Sequence, residues 1–242
     1  MAFGNYVAHL DKQTSKKQLQ QISVHLDTSF VLKKLREACT KISLQSVYGV
    51  DTDIDFLEAC LEYIHQEKLL ELPAVAVYYH CYYFLKNWEQ SQHFESFNQL
   101  LINNAAIFSK NELSDLVIAS INFCVRQYNS GNRAFLESHL RLYQFGFDNE
   151  IFIVNGELSR YTYQNAVTFG LVLKANNWVR EIIENYKIFL PKQYKKGTYS
   201  FNLARLYYEE NDKNKALVLL QKADNKDVLL SLSAKMLQLQ IY

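Results

Sequence analysis

Apolar residues recur at helical spacing along most of this chain. Ile54, Leu57, Leu61 and Ile64, for example, lie three and four residues apart, which places their side chains on one face of an α-helix. The 242 residues include only 7 Gly and 2 Pro, whereas average proteins contain about 7% Gly and 5% Pro. Because hairpins and long loops depend on these two residues, the sequence argues against all-β and doubly wound folds and predicts an all-α protein.

Residues that start and stop helices agree with this period. Ser109 and Glu112 have the spacing of a capping box, Pro73 suits the first turn of a helix, and Pro191 ends the apolar run before it. We predict helices over residues 15–26, 28–42, 53–70, 73–86, 89–105, 110–129, 132–145, 158–175, 177–189, 196–210, 213–223 and 227–241.

Residues 146–156 do not follow the helical pattern. Four apolar residues, 151–154, lie between turn signals, and Asn155-Gly156 is a favoured turn pair. A short strand here would need a second strand, and none is apparent in the sequence. We therefore predict an ordered loop with apolar anchors, and a boundary or kink in the helical array at this position.

Short polar turns separate pairs of helices. The markers Asn87, Ser130, Asn176 and Asn211 are spaced by 43, 46 and 35 residues, an interval typical of stacked helix pairs. The sequence thus predicts one helical repeat domain over residues 1–242, with degenerate helices over 1–72 and helix pairs over 73–242.

The last helix pair resembles a tetratricopeptide repeat. Its large, small and aromatic residues follow that family's offsets at Leu203, Ala204, Tyr207, Ala216, Leu220 and Ala223. The small residues let helix axes approach to about 8–10 Å. Ser200 and Val228 depart from the family, which usually has an aromatic residue and a proline there. The resemblance, shared with uncharacterised bacterial proteins, implies a right-handed α-α superhelix, a solenoid of antiparallel helix pairs.

The motifs of common enzymes and metal sites are missing from the sequence. The six His residues form no H-x-x-x-H or H-E-x-x-H, and neither G-x-S-x-G nor a phosphate-binding glycine loop occurs. We predict a non-enzymatic protein with no catalytic residues, no cofactor and no metal. A site assembled from distant residues stays open as an alternative, because catalysis depends on geometry and not on sequence spacing.

The four cysteines form no C-x-x-C, which indicates buried free thiols in a reducing compartment. No signal peptide is apparent, and no apolar run reaches the roughly 20 residues of a membrane helix. We therefore expect a cytoplasmic protein with no membrane partner.

The concave face of a helical solenoid can bind a segment of another protein. We therefore predict a protein–protein interaction scaffold for a protein or peptide partner. The resemblance places five residues of the last repeat in the binding groove: Thr198, Phe201, Arg205, Tyr208 and Glu209. There Arg205 would pair with a carboxylate, while Phe201 and Tyr208 would supply apolar contact.

A second candidate contact lies in the aromatic run at residues 78–84. His80 and Tyr83 are one helical turn apart and would both face a bound segment if that side of the helix is concave. Packing between helices is the commoner role of such aromatic stripes.

An RNA-binding helical repeat is the alternative function. Residues 187–226 hold nine Lys or Arg and four Asp or Glu, with Lys192, Lys195 and Lys196 close together. The net charge of +1 for the whole chain argues against a nucleic-acid partner, because phosphate binding needs unopposed positive charge.

The C-terminal helix carries two apolar stripes about 150° apart at 100° per residue. One stripe can dock on the preceding helix pair, which would leave the other bare, although the ends of soluble solenoids have a polar outer face. We assign Leu230, Leu237 and Ile241 to an interface with a second copy, with a partner, or with a further repeat beyond Tyr242.

Overall fold

The predicted all-α composition is confirmed in the computed structural model, which describes residues 12–48, 54–87, 91–222 and 228–242. These residues form eleven α-helices: α1 Lys12–Tyr48, α2 Leu57–Gln66, α3 Pro73–Lys86, α4 Ser91–Asn103, α5 Lys110–Asn129, α6 Leu136–Asp148, α7 Arg160–Val172, α8 Asn176–Tyr186, α9 Lys192–Glu209, α10 Lys213–Lys222 and α11 Val228–Ile241. Three short 3-10 turns lie at Leu69–Glu71, Ala105–Ile107 and Lys187–Phe189.

Most predicted helices agree with the structure to within a few residues. Helix α3 begins at Pro73 because Leu72 before it is extended, the conformation that a following proline favours. The predicted break near residue 27 is wrong, since α1 is continuous. The Asp27 carboxylate accepts hydrogen bonds from Ser23, at 3.5 Å, and from Tyr63 of α2, at 3.3 Å.

The chain divides into two compact units, residues 1–109 and 110–242. In the first unit, α3 packs against α1 and α4 and buries eight of its fourteen residues. Leu35 and Ala38 of α1 are fully buried, whereas residues 17–30 of the same helix are mostly exposed. The core of this unit is therefore built around α3.

In the second unit, α9 packs against α7, α8, α10 and α11. Ala204 of α9 and Ala216 of α10 are both fully buried in a cluster with Leu220 and Leu230. These alanines occupy the positions that the sequence predicts for the closest approach of two helices. Ala223, the third predicted small residue, lies outside the described residues.

A β-hairpin occupies the end of the predicted loop. Strands β1 Ile153–Val154 and β2 Glu157–Leu158 pair antiparallel, with Ile153 opposite Leu158. Asn155 and Gly156 both have positive φ, 52° and 77°, as a two-residue type I′ turn requires. The expectation of an ordered segment with apolar anchors is confirmed, since Ile151 and Phe152 are buried. The expectation that no second strand exists is wrong. Strand β2 has only two residues, so it shows no alternating pattern in the sequence.

The C-terminal helix docks through one of its two stripes, as predicted, but the interface assignment is wrong. Leu230, Leu237 and Ile241 are buried with Ala234 in the cluster that α11 forms with α9 and α10. The exposed stripe is the other one: Leu229, Leu232, Met236 and Leu239. Ala234 explains the choice, because a small residue lets its side of α11 approach the neighbouring helices closely.

His139 of α6 is a buried polar residue. Its side chain is 1% exposed, and neither ring nitrogen has a hydrogen-bond partner among the residues that the structure describes. The ring stacks on Tyr143 at 5.0 Å between centroids and lies 3.8 Å from the centroid of Phe169. Burial lowers the pKa of His139 to about 3, because removal from water disfavours the charged form.

We expect Ala216→Leu to lower the free energy of unfolding by about 1–3 kcal/mol, because the larger side chain overpacks the contact between α9 and α10. Urea denaturation measures the change. Val218→Leu is the matched control, since Val218 lies on the same helix and is 51% exposed. Equal stabilities of the two variants would show that Ala216 is not at a tight contact.

Acid should destabilise the second unit through His139. The unfolded state takes up a proton near the ordinary pKa of about 6.5, whereas the folded state does not, so stability falls as the pH drops below that value. Between neutral pH and pH 5 the loss from this residue should be about 2 kcal/mol. His139→Phe should remove that part of the pH dependence, and denaturation curves of both proteins at several pH values test it. Parallel pH profiles would contradict the expectation.

Candidate functional site

A groove of about 400 Å³ lies in the second unit between α7, α9 and α11. Helices α7 and α9 are the first members of two successive helix pairs, α7 with α8 and α9 with α10. The lining residues are Tyr161, Gln164, Asn165 and Thr168 from α7, Phe201 and Arg205 from α9, and Leu229, Leu230 and Ser233 from α11. The groove is therefore polar along α7 and mainly apolar along α11.

Arg205 is a partly buried cation in this groove. Its Nη1 donates to Thr168 Oγ1 at 3.0 Å and to Asn202 Oδ1 at 3.3 Å, and both acceptors are neutral. No carboxylate among the described residues forms an ion pair with it. Desolvation lowers the pKa of Arg205 to about 10, so the guanidinium stays protonated at neutral pH.

Two neighbouring side chains are oriented by their own helices to accept from Arg205. Thr168 Oγ1 donates to the Gln164 carbonyl at 2.7 Å, and Asn202 Nδ2 donates to the Thr198 carbonyl at 2.8 Å. The Thr168 lone pairs and the Asn202 Oδ1 are therefore free to accept from the guanidinium. These contacts occupy one of its nitrogens. Since a guanidinium has five N–H donors, it retains donor capacity for a ligand.

Two of the five residues predicted for a partner-binding groove line this one. Phe201 and Arg205 line it, and the guanidinium lies 5.7 Å from the centroid of the Phe201 ring. Thr198 is fully buried and cannot contact a partner. Tyr208 packs against the cluster of α9, α10 and α11 instead of lining the groove, and exposed Glu209 does not line it either.

Sequence analysis did not identify the contribution of α7. Gln164, Asn165 and Thr168 form a polar face on this helix, one turn apart or less. That face is a usable signal, since α7 also lies just before Asn176, one of the markers of the repeat spacing. Ser159 caps the helix by accepting from the Tyr161 backbone N–H at 3.3 Å, which fixes where the face begins.

The other two predicted contact residues lie in the first unit. Tyr83 stacks on His93 of α4, with centroids 4.7 Å apart and planes 18° apart. His80 Nδ1 lies 2.9 Å from His93 Nδ1. His80 and Tyr83 thus pack between helices and contact their own unit, which is the commoner role of such an aromatic run.

No group of three or more His, Cys, Asp or Glu converges in the parts of the chain that the structure describes. Within the same parts, no helix combines the length and the apolar character needed to cross a bilayer. Comparisons with protein-family models, curated proteins and solved structures find no match for this chain. Its function must therefore be inferred from the groove itself.

Thr168→Val should lower the free energy of unfolding by about 1–3 kcal/mol, because it removes an acceptor from a buried cation. Thr168→Ser keeps the oxygen and should stay within about 0.5 kcal/mol of the wild type. Urea denaturation of the three proteins measures the difference. If the Val and Ser variants are equally stable, Thr168 does not hold Arg205.

Proposed function

We propose that this protein is a non-enzymatic interaction scaffold that binds a segment of a partner protein in the groove between α7, α9 and α11. The proposal includes a right-handed solenoid of the tetratricopeptide type, which the close packing at Ala204 and Ala216 supports. The observation that carries it is Arg205, a cation in an open groove whose acceptors are all neutral.

The ligand that best fits Arg205 is a carboxylate. A guanidinium can donate two parallel N–H bonds to the two oxygens of one carboxylate, and such charged pairs are stronger than neutral hydrogen bonds. Thr168 and Asn202 hold the guanidinium in place before the ligand arrives. Less conformational freedom is therefore lost on binding.

Apolar side chains next to Arg205 define the rest of the partner segment. Phe201 lies one turn earlier on α9, and Leu229 and Leu230 form the opposite wall. Leu229 is 71% exposed, so covering it removes apolar surface from water. The segment that fits is short, with an acidic residue beside bulky apolar residues, since the volume is at the lower end for a binding pocket.

The experiment uses labelled twelve-residue peptides in which one Asp or Glu is placed among Leu and Phe, together with versions that carry Asn or Gln instead. Fluorescence anisotropy measures the affinity of each peptide for the full chain. We expect an acidic peptide to bind about tenfold more tightly than its amide version, a difference of about 1.4 kcal/mol in binding free energy.

The Arg205→Met variant should bind the selected peptide at least tenfold more weakly than the wild type does, and it should no longer distinguish the acidic peptide from the amide version. Lys196→Met is the matched control, since it removes an exposed cation of α9 outside the groove, and it should leave the affinity unchanged. Arg205→Lys should bind with intermediate affinity, because an ammonium cannot form the bidentate pair. The proposal is wrong if no peptide binds, or if Arg205→Met binds as well as the wild type.

A further inference from the structure

Two histidines of the first unit face each other through the same ring atom. His80 on α3 and His93 on α4 are both partly buried, and their Nδ1 atoms lie 2.9 Å apart. Neither nitrogen can donate and accept at once, so a hydrogen bond between them requires a proton on one Nδ1 and a lone pair on the other. The pair therefore holds one proton between two basic sites.

The ring positions identify this contact as a hydrogen bond. The ring centroids are 5.1 Å apart and the Nδ1 atoms 2.9 Å apart, so the centroid separation exceeds the nitrogen separation by about the sum of two ring radii. Both nitrogens therefore lie close to the line between the centroids, where a lone pair points at the opposite N–H. Two ligands of a tetrahedral metal ion would instead point toward a position off that line.

The described groups closest to the pair are neutral. Tyr79 lies 5.5 Å from His80 and Tyr83 lies 4.7 Å from His93, centroid to centroid. Behind them, the Tyr79 hydroxyl is 2.9 Å from Nε2 of His65 on α2. Among the described residues, no carboxylate, Lys or Arg of α1, α2, α3, α4 or the Leu69–Glu71 turn contributes to the pKa shift of either imidazole.

We infer that His80 and His93 form a pH-sensitive latch, in which one Nδ1 proton shared between two neutral rings holds α4 against α3 and protonation of both rings from solvent separates them.

Each neutral ring takes up one proton to become an imidazolium. After the first uptake one Nδ1 lone pair can still accept. Once both rings are imidazolium the contact has no acceptor, and N–H faces N–H with no carboxylate of the described residues shifting either pKa. Burial, with a contribution from His93, lowers the pKa of His80 to about 4, and burial lowers the pKa of His93 as well. Because the folded pKa values lie below the ordinary value of about 6.5, the closed latch is fully stable above that pH and loses stability as the pH falls below it.

Opening would expose an aromatic surface. Tyr83 loses the ring on which it stacks, and Tyr79 loses its contact with His93. Both residues lie in the aromatic run of α3, whose other face packs on α1. Acid would thus present a tyrosine-rich surface on the first unit, separate from the groove at Arg205.

Hydrogen exchange of the full chain tests the latch. Mass spectrometry at neutral pH and at about pH 5, corrected for the intrinsic exchange rate, should show at least tenfold faster exchange in residues 91–103 of the wild type at the lower pH. His93→Asn keeps a polar group near the position of Nδ1 but removes one basic site. It should keep the protection seen at neutral pH and lose the acid acceleration.

His25→Asn is the matched control, because it removes an exposed histidine of the same unit. Hydrogen exchange in residues 91–103 of this variant should accelerate in acid as it does in the wild type. The latch is excluded if His93→Asn and the wild type accelerate equally, or if the wild type shows no acceleration in this helix.

A second measurement needs no variant. Nitrogen-15 NMR of the wild type with labelled histidine at neutral pH should show one Nδ1 of this pair protonated and the other unprotonated. If both imidazoles carry their proton on Nε2, no proton is shared and the inference fails.

Discussion

Close approach of helices at small residues is the constraint on which the second unit depends. Ala204 and Ala216 allow α9 and α10 to pack tightly, and Ala234 does the same for α11. At Gly170, a Cβ atom would collide with Val179 of α8, so α7 and α8 also meet where a side chain is missing. Since interiors are close-packed, these contacts set the distances between α7, α9 and α11. The groove and the position of Arg205 follow from those distances.

The groove brings polar and apolar side chains together in a small volume. Thr168 and Asn202 use one hydrogen bond each to satisfy their own helix and a second one to hold Arg205. A charged side chain partly removed from water loses hydration energy that neutral acceptors restore only in part. An anionic ligand would restore more of it, which is the physical basis of the proposed preference for an acidic segment.

Helices were predictable from the sequence where their signals are local. The bounds of α3 and α5 follow from Pro73 and from the capping-box pattern at Ser109 and Glu112, and the predicted ranges agree with them. The continuity of α1 was not predictable in this way. The predicted break lay at Asp27, whose carboxylate accepts hydrogen bonds from Ser23 and from Tyr63 in the structure. The β-hairpin was missed because two-residue strands have no period to detect.

The candidate site was half predictable for a similar reason. Resemblance to a repeat gave the face of α9 that holds Phe201 and Arg205, but Thr198 on nearly the same face is covered by neighbouring helices. Which of two faces becomes buried depends on tertiary packing, and a helical period alone does not distinguish them. On α11 the decisive residue was Ala234, whose small side chain marks the stripe that docks.

The first half of α1 differs from every helix discussed so far. Leu19, Ile22 and Leu26 are exposed there, whereas Leu35 and Ala38 farther along the same helix are fully buried. Residues 17–30 therefore gain little from tertiary packing, and their helicity depends on intrahelical hydrogen bonds, which are marginal in water. Such a segment melts gradually and apart from the cooperative core. Helical ellipticity should consequently decline with temperature before the main transition, and a two-state fit to that signal would underestimate the cooperativity of the first unit.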